Sequence, residues 1–447
     1  MKKEEEKKDL SRRTFIGTAA VVGLVAAGCS VRSTEDPAVL TPGPDRAPEG
    51  APLKAGLIGC GGRGTGAAVD FLSAGPDLQV TALADVFSDR LESCRERLRE
   101  AKGVEVADEN CFVGFDAYQR LLETDVDVVL DATPPHFRPL HFAAAVAARK
   151  HVFLEKPVAV DASGVRSVMD TADRADAFQL SVATGTQYRH QKSFIETYNQ
   201  VVRGAIGDIV AARCYSLRGQ LWYRTPRPEW SQMEAMLRDW VNWRWLSGDF
   251  IVEQHVHGLD AINWFTRSRP ARAVATGGRA RRVTGDQYDF MSVDFEMESG
   301  IHVHSFSRQI DGCTNEISRW VEGTHGFTNC ADTIFDRSGN VVWKYGEVEG
   351  SKEEETVEDN SPYVQEHIDL VTSIRQGRPI NEARENAIST LTAIMGRESA
   401  YTGLETNWDE QLNSGQRLGP SEYAMGPVDD EARIPVPGIV REDTRTG

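Results

Sequence analysis

Glycines, one lysine and a carboxylate–imidazole group are the residues of this chain whose types and spacing could do chemistry. Gly59, Gly61 and Gly64 have the spacing G-x-G-x-x-G. In that pattern the first glycine permits a tight turn, the second lets the backbone approach a pyrophosphate, and the third lets the following helix sit close to the strand. Gly62 and Arg63 belong to the same turn and are candidate cofactor contacts. Asp85 stands where an acid can accept hydrogen bonds from an adenosine ribose and repel a 2′-phosphate, which favours NAD over NADP. Ser88 and Arg90 nearby keep NADP open. Farther along, Ser247–Asp260 carries Glu253, His255, His257 and Asp260. If Glu253 onward is one helix, Glu253 and His257 share a face at i, i+4, and Asp260 follows His257 at i+3. A carboxylate beside an imidazole fixes its tautomer and raises its basicity, giving a general base. Helical geometry aims His255 elsewhere, toward a secondary substrate contact. The alternative for His257 is a structural histidine, and no further ligand at suitable spacing supports a metal.

These residues need elements to hold them. Leu53–Ile58 is a short apolar run that reads as a buried parallel strand, Thr65–Leu72 as a helix, and Leu78–Ala84 as a second strand ending on Asp85. Val126–Ala132 is another buried strand, closed by Thr133-Pro134-Pro135-His136, which cannot continue at once as helix. His151–Leu154 is the next strand and ends in Glu155-Lys156-Pro157. Ligands sit at the carboxyl edge of such a sheet. That makes Thr133, Pro134, His136, Glu155 and Lys156 candidate cofactor contacts. A lysine at this edge, Lys156, can hydrogen-bond a substrate hydroxyl and stabilise alkoxide charge. Phe178–Ala183 reads as the last strand of the sheet.

Beyond Thr186-Gln187-Tyr188-Arg189-His190 a helix runs to about Arg203, and Ile209–Arg218 alternates as a strand. Tyr188 and Arg189 are candidate substrate contacts or, equally, polar residues at a helix start. Trp222, Trp230, Trp240, Trp243, Trp245 and Trp264 crowd one window. Indole faces can hold sugar C–H faces, but most such rings anchor cores; Trp243 is taken as the substrate contact. From Arg272 strand patterns follow at Ala273–Gly277, Phe290–Glu296, Ile301–Ser307, Ile317–Glu322 and Val341–Lys344, then amphipathic helices at Tyr363–Arg375 and Glu385–Thr402. The fold class expected is α/β: an N-terminal Rossmann dinucleotide-binding domain plus a C-terminal α+β domain with a large, mostly antiparallel open sheet. The expected divisions are 1–50 signal and linker, 51–185 nucleotide domain, 186–405 substrate and oligomerisation domain, and 406–447 an extended tail.

Composition bounds the partners. The net charge of −17 repels phosphates and argues against nucleic acid. The 7 cysteines include no CxxC pair, so neither a zinc knuckle nor a disulfide framework is indicated. Ser11-Arg12-Arg13-Thr14-Phe15-Ile16-Gly17 and the apolar run Thr18–Ala27 resemble a twin-arginine export signal. Val25–Cys29 resembles a lipoprotein box. The expectation is export to the periplasm, with a membrane contact only through the signal or a lipid on Cys29.

The glycine turn, Thr133-Pro134 closing one strand and Glu155-Lys156-Pro157 closing the next together resemble the Gfo/Idh/MocA oxidoreductases, over about Leu53–Trp408. The resemblance implies that Lys156 reaches the reacting carbon beside a nicotinamide, and that the substrate is a sugar, polyol or glycoside. Arg138 stands where many exported relatives have a second histidine. Glu253 and His255 replace the aspartate and glycine of the family pattern Asp-x-Gly-x-His-x-x-Asp. The implied activity is an oxidoreductase holding its NAD(P) tightly. A redox-neutral NAD-dependent glycoside hydrolase is the second reading, and a cofactor-loaded binding protein the third. A homodimer or homotetramer is expected.

Overall fold

The computed structural model describes residues 39–347, 359–429 and 432–438. The twin-arginine stretch and Cys29 lie outside the described residues. Residues 40–447 form one compact unit.

Its first half follows from short apolar segments between helices. Strands β1 (Leu53–Ile58), β2 (Leu78–Asp85), β3 (Cys111–Val113), β4 (Val128–Asp131), β5 (His151–Leu154) and β6 (Val182–Thr184) form one sheet in the order β3-β2-β1-β4-β5-β6. All its pairings are parallel. Both faces must therefore be covered, and the strand middles are correspondingly apolar, with Leu57, Leu83, Val129 and Phe153 fully buried. The crossovers are α1 (Gly62–Ser73), α2 (Ser88–Lys102), α3 (Ala117–Leu122), α4 (Arg138–Ala147) and α5 (Ala162–Ala177). The order reverses between β1 and β4, which opens a crevice at their carboxyl ends.

The second half begins with α6 (Lys192–Val202) and β7 (Ile209–Arg218), then α7 (Gln232–Arg238), α8 (Arg244–Ser247), α9 (Phe250–Glu253) and α10 (Val256–Thr266). Strands β8 (Pro270–Gly278), β9 (Phe290–Met297), β10 (His302–Gln309), β11 (Glu316–Gly323), β12 (Gly326–Thr328), β13 (Thr333–Asp336) and β14 (Val341–Lys344) follow. With β15 (Thr406–Asn407) they make a 9-stranded sheet in the order β14-β13-β12-β11-β7-β10-β9-β8-β15. It is antiparallel except where β7 lies parallel to β10. That α/β plus α+β architecture is the one the sequence leads to. The pairs β12 and β13 are additional, too short to show a period.

Alternation along β9 and β10 puts Met291, Val293, Phe295, Val303, Ser305 and Ser307 on the covered face. Helix α12 (Ala383–Thr402) packs against β8 and α5, while α11 (Pro362–Arg375) returns to α1. The tail is not simply extended. It adds β15 to the sheet edge and a further helix, α13 (Trp408–Leu412), before running back over the first half. No helix among the described residues is long and apolar enough to cross a membrane.

Candidate active site

Where β1 gives way to α1, Gly59 takes φ +93°, a left-handed conformation open to glycine. A Cβ on Gly64 would drive into the carbonyl oxygen of Gly59, whereas one on Gly62 would meet nothing within 4 Å. The turn is thus tight on its inner side and open on its outer side. No side chain caps α1, so its first N–H groups face that open space. Asp85 braces the turn: its carboxylate accepts from the Cys60 N–H at 2.7 Å and the Phe87 N–H at 2.8 Å. Burial pushes its carboxyl up.

In front of the turn lies a cavity of about 430 Å³. Gly59, Gly61, Gly62, Gly64, Asp85, Thr133 and Pro134 form one wall. Trp222, Arg224 and Trp240 from the second half and Tyr423 from the tail close the other. A glycine cradle, uncapped N–H groups and a flanking acid fit an adenine dinucleotide. The residues that would hold it are the Gly59–Gly64 backbone, Asp85 and Thr133. Arg90 reaches over the turn, with Nη1 3.4 Å from the place of a Gly61 Cβ.

Three expected cofactor contacts are corrected here. Arg63 borders the cavity, but its guanidinium is committed to Glu155, to Asp70 at 3.1 Å and to Glu366 at 2.6 Å. Burial would otherwise raise the Glu155 carboxyl; Arg63, Lys156 and Arg138 hold it low. Glu155 is accordingly spent on that ion pair. His136 donates or accepts at 2.7 Å with the Tyr423 hydroxyl and packs edge-on against Trp245. Burial pushes its imidazole down to about 3, and it sits beneath the tail, outside the cavity wall.

Lys156, at the end of β5, extends to the break between α9 and α10. Its Nζ donates to the Glu253 carbonyl at 2.7 Å and to Glu253 Oε1 at 3.3 Å. The Glu253–His257 couple expected from i, i+4 spacing does not form. The helix stops at Glu253 and restarts at Val256, so the two residues are not on one helical face. The interruption is anchored by His255, whose Nε2 bonds Ser305 Oγ at 2.7 Å and approaches Cys214 Sγ at 3.5 Å. His255 is therefore a core histidine, 1% exposed and pushed down to about 3 by burial, and not a substrate contact.

Asp260 is also corrected. It receives Arg189 through both Nε and Nη2 at 2.9 Å, and Ser389 at 2.8 Å. Arg189 and Asp260 thus form a buried structural pair. Trp243 packs beside Trp245 and Leu246 and is absent from the cavity wall.

His257 keeps some exposure, and its Nδ1 is buried with no partner. Burial lowers its pKa well below the ordinary value, and the charges of Lys156, Arg319, Arg218 and Arg63 push the same way. The imidazole is neutral at neutral pH. Tyr188 stands edge-on to it, ring centroids 5.7 Å apart.

Opposite these groups is the inner face of the large sheet, whose polarity changes along the strands. The register aligns Phe295, Val303, Ala212 and Val321 in an apolar row. Next comes Val293, Ser305, Cys214 and Arg319; then Met291, Ser307, Ser216 and Ile317; then Gln309 beside Arg218. Arg319 Nε, Ser307 Oγ, Gln309 Nε2 and Arg218 Nε are buried without hydrogen-bond partners. Buried polar atoms normally have partners, so four orphans on one sheet face mark a surface built for a polar ligand. Sequence reading overlooked Arg218 and Arg319. Their signal was the inward position of each in an alternating strand, where an apolar residue is the rule. Tyr423 had no signal, being brought to the cavity by the course of the tail.

Comparison with known proteins places these features in context. A family described as "Oxidoreductase family, NAD-binding Rossmann fold" (GFO_IDH_MocA) matches residues 53–184, and its companion, the GFO/IDH/MocA C-terminal domain, matches 194–328. Together they take in more than half of the chain. A glycosyl hydrolase family 109 protein of Streptomyces coelicolor is 32% identical over 213 residues, 45% of this chain and 43% of that protein. An inositol 2-dehydrogenase of Acidothermus cellulolyticus is 28% identical over 253 residues, 56% of this chain and 64% of the relative. The chain therefore spans less than two thirds of either relative. The scyllo-inositol dehydrogenase of Lactobacillus casei, solved with bound NAD(H) and scyllo-inositol, superposes with a TM-score of 0.60 at 18% identity, over 80% of this chain and 99% of that one. At that identity the likeness is one of fold.

Proposed function

The chain belongs to the Gfo/Idh/MocA oxidoreductases, and from that footing we propose that it is an NAD(P)-dependent oxidoreductase acting on a hydroxyl of a sugar, polyol or glycoside. The observation that carries the reading is the Lys156–Glu253 pair and the neutral His257, set against a sheet face with unpartnered buried polar atoms. The bound dinucleotide supplies the site that accepts and returns hydride. The chain's own residues do the rest. Lys156 Nζ donates to the substrate oxygen and steadies its charge as the proton leaves. Glu253, through both its carbonyl and carboxylate, aims that ammonium. His257, already unprotonated, takes the hydroxyl proton. Tyr188 and the polar sheet face orient the ring.

A redox-neutral glycoside hydrolase is the second reading, favoured by the Streptomyces relative and by the aromatic lining of the cavity. A cavity walled by Trp222, Trp240 and Tyr423 suits a cofactor regenerated in place. Export is part of the proposal. Arg12 and Arg13 before an apolar run support the twin-arginine route, and Cys29 a lipid anchor. Val274, Phe290 and Phe306 on the outer face of the large sheet support a homo-oligomer.

The test is a screen on the cofactor-loaded protein. Free sugars and polyols should change the nicotinamide absorbance. Release of aglycone from aryl glycosides without added NAD would select the hydrolase instead. No response to either panel would leave a binding protein.

A further inference from the structure

The site has more positive charge than it needs for a neutral sugar. Lys156 is matched by Glu253, and Arg63 by Glu155, Asp70 and Glu366. Arg218 and Arg319 are not matched. Arg218 donates Nη1 to the amide oxygen of Gln254 at 2.9 Å, and Arg319 donates Nη2 to the Tyr188 hydroxyl at 3.4 Å. Neither has an ion-pair partner among the described residues. Arg319 is 8% exposed and lies 4.4 Å above the Tyr188 ring, which itself abuts His257. Arg218 is tied to the reacting end by a short relay: Gln254 also donates to Glu253, and Glu253 accepts from Lys156.

Burying an uncompensated charge is costly, and buried cations are ordinarily paired. On the inner face of one sheet, buried Arg319 and half-buried Arg218 each keep an orphaned Nε, an arrangement that suits an oxyanion with planar or tetrahedral acceptors. Resting on the sugar oxidoreductase reading, we propose that the substrate is an anionic sugar, whose carboxylate, sulfate or phosphate group is received by Arg218 and Arg319 while its reacting hydroxyl lies at Lys156 and His257. An anion there also offsets the cations that hold His257 acidic, and so makes the imidazole a better proton acceptor once substrate is bound. The row beyond Arg319 is apolar, and Gln254 separates Arg218 from the Glu253 carboxylate, which is itself paired with Lys156.

Calorimetry on the cofactor-loaded protein tests this directly. The ligands are glucuronate and galacturonate, glucose 6-sulfate and glucose 6-phosphate, the parent neutral sugars, and tartronate, an oxyanion with a hydroxyl and no ring. At least one acid should bind about tenfold more tightly than its neutral parent at low salt, with the advantage shrinking as salt rises. Arg319→Gln and Arg218→Gln should each weaken binding of the acid by a much larger factor than binding of its neutral parent, so that most of the advantage is lost. The uronates, the sulfate and the phosphate distinguish the source of the anion. Neutral sugars binding as well as every acid would overturn the proposal and leave the sugar reading standing. Tartronate binding with no sugar of either kind would keep an oxyanion site but overturn both the sugar reading and the anionic-sugar proposal. Absence of binding by any anion, or an acid preference that survives both substitutions, would also overturn it.

Discussion

His367 shows what a buried imidazole costs when nothing answers it. It sits between Phe153 and Phe71, with ring centroids 4.2 and 6.1 Å away, and neither of its nitrogens has a partner. Burial lowers its pKa well below the ordinary value. His136 and His255 are both pushed down to about 3, and His257 is lowered as well. In each case the folded chain refuses a proton that the unfolded chain takes below about pH 6.5. Stability is therefore full above that pH and falls as the solution is acidified. His190 works in the opposite sense. Burial would lower it, but Glu382 and Asp369 raise it well above the ordinary value, so its contribution is present below about pH 6.5 and fades at higher pH. The depressed histidines outnumber it. Replacing His367 by leucine removes two orphaned polar atoms from an apolar site. The expected result is a gain of about 1–3 kcal/mol at neutral pH. Below about pH 6 the acid limb of a stability curve should be shallower by roughly 1.4 kcal/mol per pH unit, as measured by denaturant titration. A loss of stability would show that the ring has a polar partner after all.

At the scale of elements, what could be read from sequence was what is local. The glycine spacing, the acid that ends β2 and the lysine after β5 are each set by one strand end, and the parallel sheet places them along one edge. The relations between elements were not legible. A helix through Glu253 and His257 is the natural reading of their spacing, yet His255 bonding to Ser305 on β10 breaks it, and Glu253 turns to Lys156 instead. Likewise Asp260 meets Arg189 from a segment far earlier in the chain. Arg218 and Arg319 become neighbours of one site because β7 and β11 pair in one register. The tightest local requirement is the approach of α1 to β1. Gly64→Ala should push the helix off the Gly59 carbonyl, costing about 1–3 kcal/mol and most of the affinity for dinucleotide. Cofactor content after denaturation and a thermal melt measure the two effects. An alanine variant that purifies with full cofactor would mean that the turn is not the cradle.

Across the whole molecule, the tail links the two halves. Arg166 on α5 donates to the carbonyls of Leu412 and Ser414, the latter at 2.9 Å, and Asp161 accepts from Leu418 N–H at 2.8 Å. Gly419 then passes His136 and Trp245, and Tyr423 stacks on Phe115 and joins the cavity wall. A chain ending at Ser414 keeps β15 and α13 but loses this covering. It should fold, and should release bound dinucleotide faster by about tenfold, as an aromatic anchor withdrawn from a desolvated wall does. Stopped-flow displacement of the cofactor by an excess of a fluorescent analogue reads that rate. An unchanged rate would assign the tail to packing alone.

In the proposed reaction Lys156, aimed by Glu253 and close enough to influence a neutral His257, acts on a hydroxyl beside a nicotinamide. The most direct measurement is single-turnover reduction of the bound cofactor by a responding sugar in the native protein and in Lys156→Ala. The expected result is equal cofactor content and a rate lower by about 10²–10⁴-fold in the variant. A variant that holds its cofactor and reduces it at the native rate would contradict it.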